Sequence, residues 1–193
     1  MSDIILAIDE GTTNAKVVCI DRSGAVLSRA SRPLHLAHPH PAWAEQDPLE
    51  ILEAVSDAAA DAIATLGGAV IAAIAISNQR ESVVAWERAS GLALGPVVVW
   101  QCRRSEAFCT ELAAGAQADS IRDKTGLPID PLFPAAKIRW LLDHIDNGHA
   151  RAANGEICIG TIDSWLVWHL TGGSQFVTDA SNASRTQLFN IHT

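Results

Sequence analysis

The stretch that most constrains the fold is "IILAIDEGTTNAKVVCID", residues 4–21. Two apolar runs, Ile4 to Ile8 and Val17 to Ile20, flank a polar loop too short for a helix, so the chain must double back as a hairpin. "DRSG" (Asp21 to Gly24) signals a second tight turn, and "AVLSRASRPLHL" continues as a third strand with partial alternation. Three strands joined by short loops make an antiparallel meander, and such a sheet needs cover on at least one face.

The cover comes next in the chain. Asp47 followed by Pro48 reads as an N-cap with proline at the first helical position, and Leu49, Leu52, Val55, Ala59, Ile63 and Leu66 recur at helical spacing up to Gly67-Gly68. "AVIAAIAI", residues 69–76, is a nearly continuous apolar run of the kind found in a strand covered on both faces. "VVAWE" and "VVVW" read as further strands, the patterns predict helices over 117–125 and 134–145, and "GEICIG" is a short strand. Thr161 is expected to cap the helix "IDSWLVWHLTG", which Gly172-Gly173 stops. This order predicts an α/β domain over residues 1–193, its mixed sheet combining an antiparallel three-strand meander with parallel additions and flanked by helices.

Composition narrows the function classes. Fourteen basic residues against 22 acidic ones give a formal charge of −8, a field that repels nucleic acid and anionic membrane. No apolar run reaches the length of about 20 residues that a membrane span needs, and no basic leader with a cleavage site precedes the first strand, so a cytoplasmic protein is expected. Cys19, Cys102, Cys109 and Cys158 are scattered without a C-x-x-C pair, which favours reduced, buried thiols over zinc or disulfides.

Four clusters could carry chemistry. In "DEGTTNAK", Gly11 lets the backbone turn tightly and approach a ligand, Thr12, Thr13 and Asn14 offer hydroxyls and backbone donors, and Lys16 adds a positive charge. Those are the parts of a phosphate cradle, and Asp9 at the strand end could hold hydrated magnesium; a plain polar turn is the simpler reading of the loop alone. In "SNQRES", Arg80 and Glu81 set a five-donor fork beside an acceptor, suited either to a hydroxyl-rich ligand or to a solvated ion pair. In "VVWQCRR", Trp100 could lie against the apolar face of a polyol or belong to the core, while Arg103 and Arg104 would cap a helix or pair on the surface. His35, His38 and His40 show H-x-x-H-x-H spacing in a proline-bearing loop, where a solvated loop is the default over a metal site. Lys137, Trp140 and Asp163 read as architectural: the first two on an amphipathic helix, the third in a helix's first turn.

Taken in order, "DEGTTNAK", "AWAEQDP", "ISNQRESVVAWE", "VVVWQCRR", "TGLPIDPLFPAAKIRWLLDH", "GTIDSWLVWHLTGG" and "TDASNASRTQLFNIHT" resemble the FGGY family of carbohydrate kinases along nearly the whole chain. The resemblance implies a ribonuclease H-like fold of the actin and heat-shock chaperone superfamily, with ATP and Mg²⁺ as cofactors. It implies that Asp9 lies near the metal, that Gly11, Thr12, Thr13, Asn14 and Lys16 form the first phosphate motif, and that Arg80, Glu81, Trp100 and Leu132 line the pocket for a small polyol or sugar. It implies a homo-oligomer when full length, with no nucleic-acid or membrane partner. Leu132 departs from the tyrosine that the glycerol-phosphorylating members carry in "DPYF". An unpartnered substrate hydroxyl costs about 1–3 kcal/mol, which weakens the case for glycerol and leaves another polyol or ketose open. In the family the catalytic aspartate sits in a G-D-[QN] motif, and neither G-D-Q nor G-D-N occurs in these 193 residues. The expectation is therefore an amino-terminal, substrate-binding domain without its ATP-binding partner domain, inactive by itself; a non-catalytic sugar-binding or regulatory module is the alternative.

Overall fold

The hairpin at residues 4–20 forms as expected in a computed structural model that describes residues 4–193. In chain order the elements are β1 (Ile4–Glu10), β2 (Asn14–Ile20), β3 (Val26–Pro33), β4 (Glu45–Gln46), α1 (Pro48–Ala64), β5 (Ile71–Asn78), β6 (Val83–Glu87), β7 (Val97–Val98), α2 (Glu106–Ala113), α3 (Ala118–Thr125), α4 (Pro134–His144), α5 (Gly148–Ala153), β8 (Ile157–Thr161), α6 (Ile162–Leu170) and α7 (Ala180–Ala183). They form two units. One comprises the residues up to Leu36 together with Gln46–Gln79; the other comprises Ala37–Glu45 and Arg80–Thr193.

The first unit is a four-stranded sheet in the order β3-β2-β1-β5, antiparallel through the meander and parallel between β1 and β5. Alternation along β1 sends Ile4, Leu6, Ile8 and Glu10 inward, with Ala15, Val17 and Cys19 of β2 on the same face. The turn into β3 is held by Asp21, whose Oδ1 accepts from the backbone N–H of Ser23 (2.8 Å) and Ala25 (3.0 Å). Helix α1 starts as the sequence requires, with Asp47 Oδ1 accepting from the N–H of Leu49 at 2.8 Å and Pro48 at N1. Its buried stripe, however, is Ile51, Ala54, Val55, Ala58 and Ala62, while Leu49 is 49% exposed and Ile63 also faces outward. The alanines let the helix lie close on β2 and β3, so small residues rather than the large ones set its phase.

Strand β5 corrects a second expectation. It is an edge strand of its sheet, and most of its residues are exposed, Ile74 by 50%. Its apolar run does mark a strand, but within this unit α1 lies chiefly over β2 and β3 and leaves β5 uncovered.

The second unit carries a separate four-stranded sheet, ordered β4-β7-β6-β8, in which β6 pairs antiparallel with β7 and β8. The reading of one mixed sheet thus holds for the first unit, and strands 83–87, 97–98 and 157–161 build a sheet of their own. Its centre is β6, buried from Val83 to Trp86, with Trp86 meeting Trp165 of α6 edge-on at 5.4 Å. Gly160 is required for that packing: a Cβ there would lie 2.7 Å from Cβ of Ser164. Thr161 begins α6 but makes no side-chain cap; its hydroxyl donates to Asp163 Oδ1 at 2.5 Å, and Thr178 donates to Oδ2 at 2.7 Å. The four cysteines are buried and free. Among the described residues no helix is long and apolar enough to cross a membrane.

Candidate functional site

In the first unit the loop between β1 and β2 is short and anchored from beneath. The Gly11 N–H donates to Asn14 O at 3.0 Å, Asn14 Nδ2 donates to Thr13 Oγ1 at 3.0 Å, and Thr13 O accepts from the N–H of Leu34 at 2.9 Å. Gly11 is not in the left-handed region, and a Cβ there would meet Asn14 O at an ordinary 3.4 Å. The backbone therefore does not demand glycine for the turn; its absence of a side chain leaves the loop surface open instead. Asp9 and Lys16 are cross-strand partners, both exposed.

Below the loop lies a buried network. Glu10, 0% exposed, accepts from Gln79 Nε2 at 2.7 Å and from the Gln79 backbone N–H at 3.2 Å. Gln79 Nε2 also donates to Gln46 Oε1 at 2.7 Å, and Gln46 Nε2 donates to Thr12 O at 2.9 Å. Burial pushes the Glu10 carboxyl up to about 7, against the pull of the Gln79 hydrogen bonds and with a small push from Asp9.

In the second unit Glu81 has φ +65°, the left-handed region, where a non-glycine residue costs about 1–3 kcal/mol and is retained only when its surroundings fix it. Arg185 Nε donates to Glu81 Oε1 at 2.6 Å, and the Arg185 guanidinium lies 5.0 Å above the Phe133 ring. Lys137, 0% exposed, donates from Nζ to the backbone carbonyls of Glu81 (2.9 Å), Trp100 (3.2 Å) and Leu132 (2.5 Å). The N–H of Trp100 further donates to Ser82 Oγ at 3.0 Å. Taking an ammonium out of water costs on the order of several kcal/mol, and three converging carbonyls are what this fold supplies in return. Burial pushes Lys137 down to about 7, opposed by Cys102, Glu81, Asp130 and Cys109. The side chain of Arg80 is exposed and, among the described residues, makes no ion pair; Trp100 is 39% exposed and so is not core. A strained acid, an open arginine, an open indole and the Leu132 segment thus come together around one buried lysine.

The chain matches the FGGY family of carbohydrate kinases, N-terminal domain, over residues 4–193. The chain belongs to this family. It is 52% identical over 189 residues to an apulose kinase of Pectobacterium atrosepticum, and 50% identical over 190 residues to a glycerol kinase of Aromatoleum aromaticum. These alignments cover 98% and 97% of this chain but 38% of each relative, so this FGGY chain spans well under half the length of the curated relatives it matches. In three dimensions it superposes on a Plasmodium falciparum glycerol kinase crystallised with ADP, with a TM-score of 0.95, 33% identity, and coverage of 100% of this chain and 38% of that one. The ribonuclease H-like α/β reading stands with these neighbours.

The first unit of the FGGY chain holds the loop residues Asp9, Gly11, Thr12, Thr13, Asn14 and Lys16, and the second holds Arg80, Glu81, Trp100 and Leu132. Beneath them, sequence reasoning passed over Glu10 and read Lys137 only as architectural. Alternation gave a signal for Glu10, since it continues the inward series Ile4, Leu6 and Ile8. Lys137 likewise falls on the α4 stripe between Phe133 and Leu141. The partner of Glu81 is Arg185, 104 residues away, and nothing local marks it. Arg103 pairs with Glu106 at 2.6 Å as a surface residue, but Arg104 is buried, 4.0 Å from the Trp43 ring, 4.5 Å from Trp140 and 2.6 Å from Glu45 Oε1. Among the described residues no three His, Cys, Asp or Glu side chains gather in a metal-holding group; His38 instead contacts Trp43 O at 2.8 Å.

Proposed function

We propose that this chain is the amino-terminal, substrate-binding part of an ATP-dependent kinase that transfers the γ-phosphate to a hydroxyl of a polyol or ketose. The observation that carries the reading is Glu81: a buried carboxylate in a strained backbone position, fixed by Arg185, beside an arginine that is exposed and makes no ion pair among the described residues. A protein that only needed a surface ion pair would not hold an acid this way. In this reading Arg80 donates to, and Glu81 accepts from, neighbouring substrate hydroxyls, while Trp100 offers its face to the carbon chain.

The loop of the first unit supplies the phosphate side. Exposed Lys16 offers a cation, and Thr12, Thr13 and Asn14 offer hydroxyl, amide and backbone donors. A single exposed carboxylate, Asp9, fits magnesium, which keeps most of its waters and takes one or two carboxylates plus phosphate oxygens. When bound, the ion would neutralise charge developing on the transferred phosphoryl group.

Relatives at about half identity include both an apulose kinase and glycerol kinases, and the apolar Leu132 side chain favours a substrate other than glycerol. The test is ADP release by the full-length protein with ATP and magnesium across glycerol, erythritol, xylulose and ribulose. Stimulation by at least one, abolished by chelating the metal, is expected; no stimulation by any overturns the reading. The isolated 193-residue chain is expected to turn over none of them.

A further inference from the structure

Lys137 joins three segments far apart in sequence. Its Nζ reaches the carbonyl oxygens of Glu81 ahead of β6, Trp100 just beyond β7 and Leu132 ahead of α4, at 2.9, 3.2 and 2.5 Å. The lysine is fully buried, and its own element contributes only the stem. Each of the three segments carries a side chain assigned above to the polyol. We infer that Lys137 is a positioning residue for substrate selection: its ammonium fixes the separation of the Glu81, Trp100 and Leu132 backbones, and so the size and shape of the space their side chains line. The inference rests on the kinase reading of this site.

Chemistry makes the cage specific for an ammonium. Three carbonyl acceptors need three N–H donors on one atom, which lysine has and a neutral amine lacks. Arginine presents its donors in a flat fork, which cannot direct three of them from one point to three converging oxygens. All three acceptors are main-chain atoms, so these contacts do not depend on which side chains stand at 100 and 132, while Glu81 is fixed further through its carboxylate by Arg185. Leucine at 132 illustrates this: its side chain is apolar, yet its carbonyl still takes the shortest of the three contacts. Burial pushes Lys137 down to about 7, and Cys102, Glu81, Asp130 and Cys109 pull the other way, toward the charged form that the cage uses.

The test compares wild type, Lys137→Met and Lys137→Arg in the full-length protein, measuring kcat/KM for a panel of polyols and ketoses and KM for ATP. Loss of a merely structural residue lowers the active fraction and scales every substrate alike. A positioning residue changes the ratios instead. The ratio of the best to the second-best substrate is expected to fall by about tenfold, with KM for ATP within about twofold of wild type. Lys137→Arg gives the same reading where Lys137→Met fails to fold, because it keeps charge and bulk. Unchanged ratios in a variant that folds overturn the positioning role while leaving the kinase reading intact; no ADP release by wild type with any substrate overturns both.

Discussion

Each unit buries one ionisable group beneath residues assigned to the substrates, and the two are satisfied differently. Glu10 under the first unit's loop is bound by the amide side chain and backbone N–H of Gln79, whereas Lys137 under the second unit's pocket is bound by backbone carbonyls alone. Among the described residues neither makes an ion pair. An acid held by side chains ties its loop to the identities of Gln79 and Gln46, so those positions are constrained along with it. A lysine held by main-chain oxygens places no demand of its own on the side chains at 100 and 132, while Glu81 is fixed separately by Arg185. The difference teaches where each region can vary: the first unit's loop is locked residue to residue, whereas in the second unit the buried lysine grips backbone and side-chain fixing is left to the Arg185–Glu81 pair.

The strongest way to break the comparison is Lys137→Met. It strands three carbonyls, and the chain should lose about 3 kcal/mol in urea unfolding at neutral pH; a loss below about 0.5 kcal/mol would mean that the cage contributes little. The pH dependence follows from the shift: the folded state releases its proton near 7, the unfolded lysine near 10.5, so the unfolded chain binds more protons between them. Stability should therefore rise with pH across that window, and the rise should vanish in the variant.

Glu10 works in the opposite sense. Its carboxyl titrates near 7 when folded against 4.5 as the ordinary value, so the folded chain binds more protons between those pH values and stability should fall as pH rises through them. Glu10→Gln should flatten that fall and stabilise the chain by about 1–3 kcal/mol at pH 8, measured by the same unfolding experiment. An unaltered slope would show that Glu10 is not the group responsible.

Two smaller effects sharpen the pocket. Glu81→Gln keeps the backbone position but removes the charge that Arg185 fixes, and should raise the polyol KM by about tenfold with little change in the KM for ATP. Leu132→Tyr adds a hydroxyl donor and should improve kcat/KM for glycerol by about threefold to tenfold. Indifference to that change would remove the argument that the missing hydroxyl steers the chain away from glycerol.

Much of this was legible before the structure. Alternation and turn residues gave the meander, Asp47-Pro48 gave the start of α1, and the ordered motifs gave the family. The failures have physical causes. The buried stripe of α1 differs from the expected apolar series because it combines Ile51 and Val55 with Ala54, Ala58 and Ala62, small residues that spacing of large side chains does not pick out. β5 reads as a doubly covered strand, but a run of apolar residues records what a strand can bury, not what lies over it here. Lys137 reads as an architectural residue of an amphipathic helix, and it is buried; what helical spacing could not give is its carbonyl partners at Glu81 and Trp100, 56 and 37 residues away. Arg185 could not be found at all, since a contact spanning 104 residues leaves no periodic trace.

The central claim, that Arg80 and Glu81 grip a hydroxylated substrate for phosphoryl transfer, is tested most directly by ADP release in the full-length protein with wild type and Arg80→Ala side by side, each with its melting temperature. The account predicts polyol- or ketose-stimulated release that falls by about 100-fold in the variant, with the melting temperature shifted by no more than about 2 °C, because Arg80 is exposed. Equal loss of stability and activity, or no stimulation of the wild type by any substrate in the panel, would contradict it.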